Sequence, residues 1–292
     1  MKQPPHDNRP AHRQAFRITS RYNPLIQHAR RVQAGREPGL VFVEGFRLCA
    51  EAVVAGLEVE AALYTERAEA DERAASLLST LEGAGVRAFA VSEAMLAVVA
   101  DTRSPQGLVL LARRPRTGED ILAAAQDAVP LVVILHSINN PTNAGAMLRV
   151  AEAAGATGVI ATAGTTDLLG PKALRGAMGA AFRLPLWLGA QFQSALAWCV
   201  ARGIQTVATA LTASETHTDH DWTGPRAVIM GAEAHGLHAE EISAADHHIR
   251  IPMRPPVESL NVATALAVIL YEAERQRAGV SSQQSGVRSQ KE

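Results

Sequence analysis

Three short polar stretches carry the residues in this chain best suited to chemistry: NNPTNAGAMLR at 139–149, VIMGAEAHGL at 228–237, and IPMRPPVESLN at 251–261. In the first, Asn143 is placed to cap a helix, Gly145 permits close backbone approach, and Arg149 shares a helix side with Gly145 and Glu152. A surface Arg149 paired with Glu152 at i+3, worth a few tenths of a kcal/mol, explains that arginine equally well. In the second, an apolar strand runs into Gly231, followed by Glu233 and Gly236. Glycines at the end of a strand leave backbone N–H groups open to a ligand, though Gly-x-Glu is often only a turn. In the third, Pro252, Pro255 and Pro256 form an elbow poor in backbone donors, and Ser259 and Asn261 stand at the mouth of a helix. A helix start beside a kinked loop can hold a ligand by backbone groups, and it can also be an ordinary capped core helix.

All three stretches follow apolar strands, so the elements around them decide whether they meet. The pattern predicts a flexible leader (1–17), a first α/β domain (18–112), a linker rich in charge, Pro and Gly (113–128), a second domain (129–278) and a disordered tail (279–292). In the first domain a helix is expected from about Asn23 to a stop at Gly35, with strands at Leu40–Val43, Leu63–Tyr64, Val86–Val91 and Gly107–Ala112. Helices from about Glu44, over 68–82 and after Ser92 alternate with them. In the second, strands are expected at Leu131–Leu135, 158–161, Gln205–Ala210, Ala227–Met230 and 248–251. Helices are expected from Asn143 to Gly155, Leu174 to Ala181, Ser194 to Arg202 and about 260–277. The last carries Val262, Ala263, Leu266, Ile269, Leu270 and Ala273 at helical spacing. Such alternation predicts a parallel sheet covered on both faces, which binds ligands at its carboxyl edge.

Composition narrows the classes. With 292 residues, 47% of them hydrophobic and 20% charged, the chain reads as globular and long enough for two domains. No apolar run approaches a membrane span and no signal sequence opens it. The two cysteines, Cys49 and Cys199, sit in no metal-type spacing, which points to a reduced, cytoplasmic protein. The formal net charge is −1, yet residues 1–47 hold nine Lys and Arg against three Asp and Glu. A basic front end suits a local phosphate-contacting surface, and residues 1–16 of it also read as a solvated, disordered tail. His217, Asp219, His220 and Asp221 match no standard metal spacing and read as a solvated loop, so no metal is expected. The absence of a dinucleotide fingerprint or P-loop argues against a nucleotide-dependent oxidoreductase.

In order and spacing, the three stretches resemble the three motifs of the SpoU (TrmH-type) RNA 2′-O-ribose methyltransferases, members of the SPOUT superfamily. ITSRYNP, VEGFRL and SPQGLVLL further resemble the substrate-binding domain that precedes the catalytic one in rRNA-modifying members. The likeness spans roughly Ile18 to Arg277. It implies a second domain with a deep trefoil knot, a homodimer with its active sites near the interface, and S-adenosylmethionine held bent by backbone groups. By position those groups lie at Gly231, Ile251 and Leu260, with Met253 nearby. Arg149 matches the family's catalytic arginine, while Asn143, Glu233, Ser259 and Asn261 match positions that shape the pocket or orient substrate. Arg21, Arg30, Arg31 and Arg47 are the expected phosphate contacts of the first domain. The implied substrate is rRNA, with tRNA, or RNA binding without turnover, as the alternatives. Two positions depart from the family pattern: Asn140 stands where Asp is usual, and Pro255 where Gly is usual.

Overall fold

The computed structural model describes residues 17–125 and 129–288. Residues 1–16 of the expected leader, 126–128 of the expected linker and 289–292 of the expected tail lie outside the described residues. The chain forms two compact units, Met1–Arg113 and Arg114–Glu292.

The first unit runs α1 (Pro24–Gln33), β1 (Leu40–Glu44), α2 (Phe46–Val54), β2 (Val59–Tyr64), α3 (Glu66–Glu69), α4 (Glu72–Gly83), β3 (Arg87–Ala90), α5 (Glu93–Val99) and β4 (Leu108–Arg113). Its four-stranded sheet has the order β1-β4-β2-β3; β4 runs antiparallel to both its neighbours, and β2 and β3 are parallel. Local chemistry sets the helix starts: Asn23 caps Leu25 N at 2.9 Å, and Asp71 accepts from Arg73 N and Ala74 N. Asp71 thereby splits the single helix expected over 68–82 into α3 and α4. Glu44, expected near a helix start, instead ends β1. Its buried carboxylate accepts from the backbone N–H groups of Asp101 and Thr102.

The second unit runs α6 (Glu119–Ala124), β5 (Leu131–Leu135), α7 (Pro141–Ala153), β6 (Gly158–Thr162), α8 (Pro171–Ala177), α9 (Ala180–Arg183), β7 (Leu186–Ala190), α10 (Phe192–Ala201), β8 (Gln205–Thr209), β9 (Glu215–Thr216), β10 (Arg226–Met230), α11 (Ala239–Ser243), β11 (His247–Arg250) and α12 (Val262–Arg288). Seven strands lie in the order β7-β6-β5-β10-β8-β11-β9, and every neighbouring pair is parallel. Central strands β5, β6 and β10 are buried along their whole length, as their continuous apolar or small-residue runs require. Since all strands point one way, Leu135, Thr209, Met230 and Arg250 end at the same edge.

Five elements of this unit differ from the pattern reading, the shortest being β9, a two-residue strand paired with β11 in a stretch expected as polar loop. Helix α6 falls in the segment expected as linker, because Leu122 is fully buried in the second unit's core beneath Gly158. The helix expected over 174–181 is broken: Met178 and Gly179 both take positive φ, separating α8 from α9. Strand β7 follows where no strand was expected. Helix α12 continues past Arg277 to Arg288, since the Ser- and Gln-rich segment contains no proline to stop it.

Helix α7 packs closely on α8. A Cβ on Gly145 would stand 2.2 Å from Ala173 O and 2.9 Å from Gly176 Cα, so only glycine permits this approach. Helix α12 packs on α7 and anchors the opposite edge of the sheet through Arg277. That guanidinium donates to four carbonyls: Trp222 O (2.9 Å), Val129 O (2.8 Å), Pro130 O (3.0 Å) and Gly224 O (2.8 Å).

Candidate active site

Helix α7 begins at Pro141, a residue suited to a first helical position because it lacks the N–H that would go unused there. Its cap is Asn140, not Asn143: Asn140 Oδ1 accepts from Thr142 N at 2.9 Å and Asn143 N at 3.4 Å. The cap falls on the residue before the proline because the side chain must reach back over N2 and N3. An Asp at this position would cap in the same way, so the departure at Asn140 leaves the helix start intact.

Relieved of capping, Asn143 joins the three motifs. Its Nδ2 donates to Glu233 Oε1 at 3.2 Å, and its Oδ1 accepts from Asn261 Nδ2 at 3.1 Å. Glu233 also accepts from the backbone N–H groups of Asn139 (3.4 Å) and Asn140 (3.3 Å), a carboxylate set against the positive end of a helix. Asn261 in turn caps α12, its Oδ1 accepting from Ala263 N at 2.9 Å and Thr264 N at 3.3 Å. Ser259, expected beside it at the helix mouth, is exposed and makes no capping bond among the described residues.

The loop after β10 is drawn tight by its glycines. Gly236 N donates to Ala232 O at 2.8 Å, which leaves 233–235 as a three-residue tip, and Gly236 has φ +66°. Gly231 sits against the returning chain so closely that a Cβ would stand 2.4 Å from Gly236 C. Behind the loop, Glu241 at the start of α11 accepts from His238 N at 2.7 Å and meets His136 Nε2 at 2.8 Å. Burial pushes the Glu241 carboxyl up, but the His238 N–H and the His136 imidazole outweigh it, and the net shift is downward.

Between this loop, the ends of β8 and β11 and the start of α12 lies a cavity of about 590 Å³, within the ~300–1,000 Å³ usual for small-molecule sites. Gly231, Ile251, Met253 and Leu260, the expected cofactor positions, all line it. So do Asn143, Glu233, Ser259 and Asn261. One wall is apolar, built from Leu237, Ile242, Ile249 and Ile269. The rest of the lining comes largely from residues 209–212, 230–236 and 249–251. S-adenosylmethionine fits this surface: an apolar slot suits an adenine ring, and strand-end backbone groups suit the ribose and amino-acid ends. Residues 209–212, His235 and Arg250 also line the cavity and were missed from sequence. The signal for Thr209 and Arg250 was there: both close parallel strands at the ligand-binding edge.

Arg149 stands apart. It is exposed, does not line the cavity and has no hydrogen bond or ion pair among the described residues. The expected Arg149–Glu152 pair does not form, because Arg183 claims Glu152 through Nε at 2.5 Å and Nη2 at 2.9 Å. In the first unit, Arg31 is held by Glu37 at 2.7 Å, and Arg21 lies over the Tyr22 ring and donates to its hydroxyl at 2.8 Å. The side chains of Arg30 and Arg47 are exposed and without partners among the described residues.

The His217–Asp221 loop is not simply solvated. His220 is 3% exposed, packs edge-on against Trp222, and contacts Glu215 Oε1 through Nδ1 at 3.0 Å. Its Nε2 accepts from Arg226 Nε at 3.3 Å, and burial pushes its pKa down. Glu215, His220 and His247 place ligand atoms within 4.8 Å of one another. A metal on His220 Nδ1 would leave a proton on Nε2 facing the Arg226 N–H, so this donor set suits a cation poorly. The loop serves packing: Trp222 N and His220 O both bond the Gln276 side chain of α12.

Comparison with known proteins agrees with this geometry. Residues 130–271 match the SpoU rRNA Methylase family, and residues 23–110 match the MRM3-like substrate binding domain. The chain is 32% identical over 268 residues to an uncharacterized tRNA/rRNA methyltransferase of Synechocystis sp., covering 91% of this chain and 96% of that one. It is 34% identical over 220 residues to the 23S rRNA (guanosine-2′-O-)-methyltransferase RlmB of Ralstonia nicotianae, covering 75% and 88%. Among solved structures, the SpoU methyltransferase AviRb of Streptomyces viridochromogenes in complex with AdoMet aligns with a TM-score of 0.78 at 28% identity, covering 88% of this chain and 100% of that one. Among the described residues no helix is long and apolar enough to cross a membrane. The chain belongs to the SpoU family of S-adenosylmethionine-dependent RNA 2′-O-methyltransferases.

Proposed function

We propose that this protein methylates a ribose 2′-hydroxyl of ribosomal RNA in the cytoplasm, using the cavity at the sheet's carboxyl edge as its cofactor site. The observation that carries this reading is the Glu233–Asn143–Asn261 chain of hydrogen bonds, which draws three sequence-distant motifs onto one rim. The curated relatives that act on 23S rRNA, and the substrate-binding domain matched by residues 23–110, support RNA of the large ribosomal subunit as substrate. Arg30 and Arg47, with their guanidinium groups unengaged, are the stronger candidates for phosphate contact there; Arg31 and Arg21 are already held within the unit.

When bound, S-adenosylmethionine supplies a methyl group already activated on a positively charged sulfur. The protein's task is alignment and charge stabilisation. Asn143, fixed at both ends of its amide, and Asn261 border the cavity where the ribose would lie. Arg149 holds the 2′-oxygen and a neighbouring phosphate and stabilises negative charge as it develops. A guanidinium suits this role and not that of a base, because it does not give up its proton in proteins.

The working form is a homodimer. Arg149 lies outside the wall of its own chain's cavity, on an exposed side of α7, and Tyr271 on the adjoining helix α12 is 54% exposed. Pairing two copies through these helices would gather both rims and both arginines. The return of the chain from β11, across the loops that line the cavity, to pack α12 on α7 is the course a trefoil knot would need. The test is Arg149→Ala in the full chain. Cofactor binding by calorimetry and dimer mass by light scattering should stay unchanged, while methyl transfer to unmodified 23S rRNA should be lost. Transfer at wild-type rate, or to tRNA in place of rRNA, would contradict the reading.

A further inference from the structure

Moving a methyl group onto a ribose oxygen releases one proton, and Arg149 cannot receive it. Among the described residues bordering the cavity, three side chains carry a titratable group: Glu233, His235 and Arg250. Arg250 is excluded for the same reason as Arg149. Glu233 is committed, its two oxygens accepting from Asn139 N, Asn140 N and Asn143 Nδ2. Protonating it would put a donor among donors and loosen the joint between the loop and α7.

His235 differs in each respect. It is the last residue of the tip that the Ala232–Gly236 hydrogen bond closes, and that tip is docked on α7 by Glu233 two residues earlier. The dock holds it in the wall of the cavity that Asn143, Ser259 and Asn261 also line. Its imidazole has no hydrogen bond or ion pair among the described residues, so both nitrogens are open to a ligand. An imidazole is the side chain best matched to accepting a proton near neutral pH.

We propose that His235 is the catalytic base for this reaction, an inference that rests on the methyltransferase reading above. The 2′-oxygen bonds the methyl carbon as the carbon–sulfur bond breaks. The electron pair of that bond stays on sulfur and cancels its charge, and the hydroxyl proton passes to a nitrogen of His235 and then to water. Arg149 and the base thus have separate duties: one stabilises the oxygen's charge, the other removes its proton.

The experiment compares wild type with His235→Gln, both full length, on unmodified in vitro transcribed 23S rRNA under single-turnover conditions from about pH 5.5 to 9. Wild type should rise to a plateau through one ionisation. The variant should be slower by about 10²–10⁴-fold and keep rising with pH as hydroxide takes over. Melting temperature should match wild type, since the side chain is exposed and outside the fold's hydrogen bonds. A second readout needs no turnover: the NMR titration of the His235 ring protons should shift when RNA is added without cofactor. A variant with wild-type rate and pH profile, or one slowed equally at every pH, would overturn the assignment and leave the function standing. Failure of the wild-type enzyme itself to methylate ribose would refute the underlying reading instead.

Discussion

Replacing Gly231 by Ala tests whether the loop after β10 is as tightly specified as its geometry requires. The added Cβ would stand 2.4 Å from Gly236 C, 2.6 Å from Leu237 N and 2.7 Å from Gly236 O, all of them backbone atoms that cannot rotate away. Ordinary contact begins near 3.4 Å, so the two passes of chain must separate by about 1 Å. That stretches the Gly236 N to Ala232 O hydrogen bond from 2.8 Å to beyond bonding range. Overpacking costs about 1–3 kcal/mol and the lost bond about 1 more, or roughly 2–4 kcal/mol together. Gly231 and Leu237 both wall the cavity, so cofactor binding must restore the narrow form. At 1.4 kcal/mol per tenfold, S-adenosylmethionine should bind roughly 30- to 700-fold more weakly. Calorimetry on the full chain measures this, alongside a thermal melt. Gly39→Ala, with nothing within 4 Å of its added Cβ, is the control. Gly231→Ala with both its affinity and its melting temperature at wild-type values would refute the argument.

Two further perturbations probe the last helix. Arg277→Met removes the donor shared by four backbone carbonyls, at a cost of about 3 kcal/mol; for a unit of this size the melting temperature should fall by about 6–12 °C, with cofactor affinity at 25 °C little changed. Glu272, bonded first of all by the Arg275 guanidinium, has its pKa lowered from 4.5 to about 2. A depressed carboxyl pKa contributes stability in full above pH 4.5, which is lost as pH falls from there toward 2. Acid denaturation of Glu272→Gln should therefore show a flatter loss across that window, and an unchanged acid limb would remove the pair from the account.

How far the sequence could be read depended on the range of the forces involved. Runs such as Leu131–Leu135 declare a strand buried on both faces, and Asn23 marks a helix start through a bond spanning two residues, whereas the cap at Asp71 lies inside a stretch whose pattern favours one continuous helix. The parallel sheet, and the meeting of three motifs at one edge, followed from such local signals. The break at Met178–Gly179 was harder, since the flanking residues all favour helix and only tertiary packing selects positive φ there. Strand β7 lay in a short apolar run too ambiguous to assign. Capping was misassigned by three residues because Asn140 and Asn143 are chemically identical, and only the position of Pro141 relative to the first free N–H groups separates them. The partner of Glu152 could not be found at all: Arg183 lies on a different helix, and i+3 spacing points to the wrong arginine. His220 looked exposed because its burial depends on Trp222, Glu215 and Arg226 folding over it.

The joint between Asn143 and Asn261 spans 118 residues of sequence, and the cavity wall extends further, to Ile269. During translation, then, neither the rim nor the pocket can exist until nearly all of the second unit has left the exit tunnel. Helix α7 with Arg149 is made more than a hundred residues earlier, and must wait beside the sheet without its partners. The pocket is therefore completed only when α12 seats on α7.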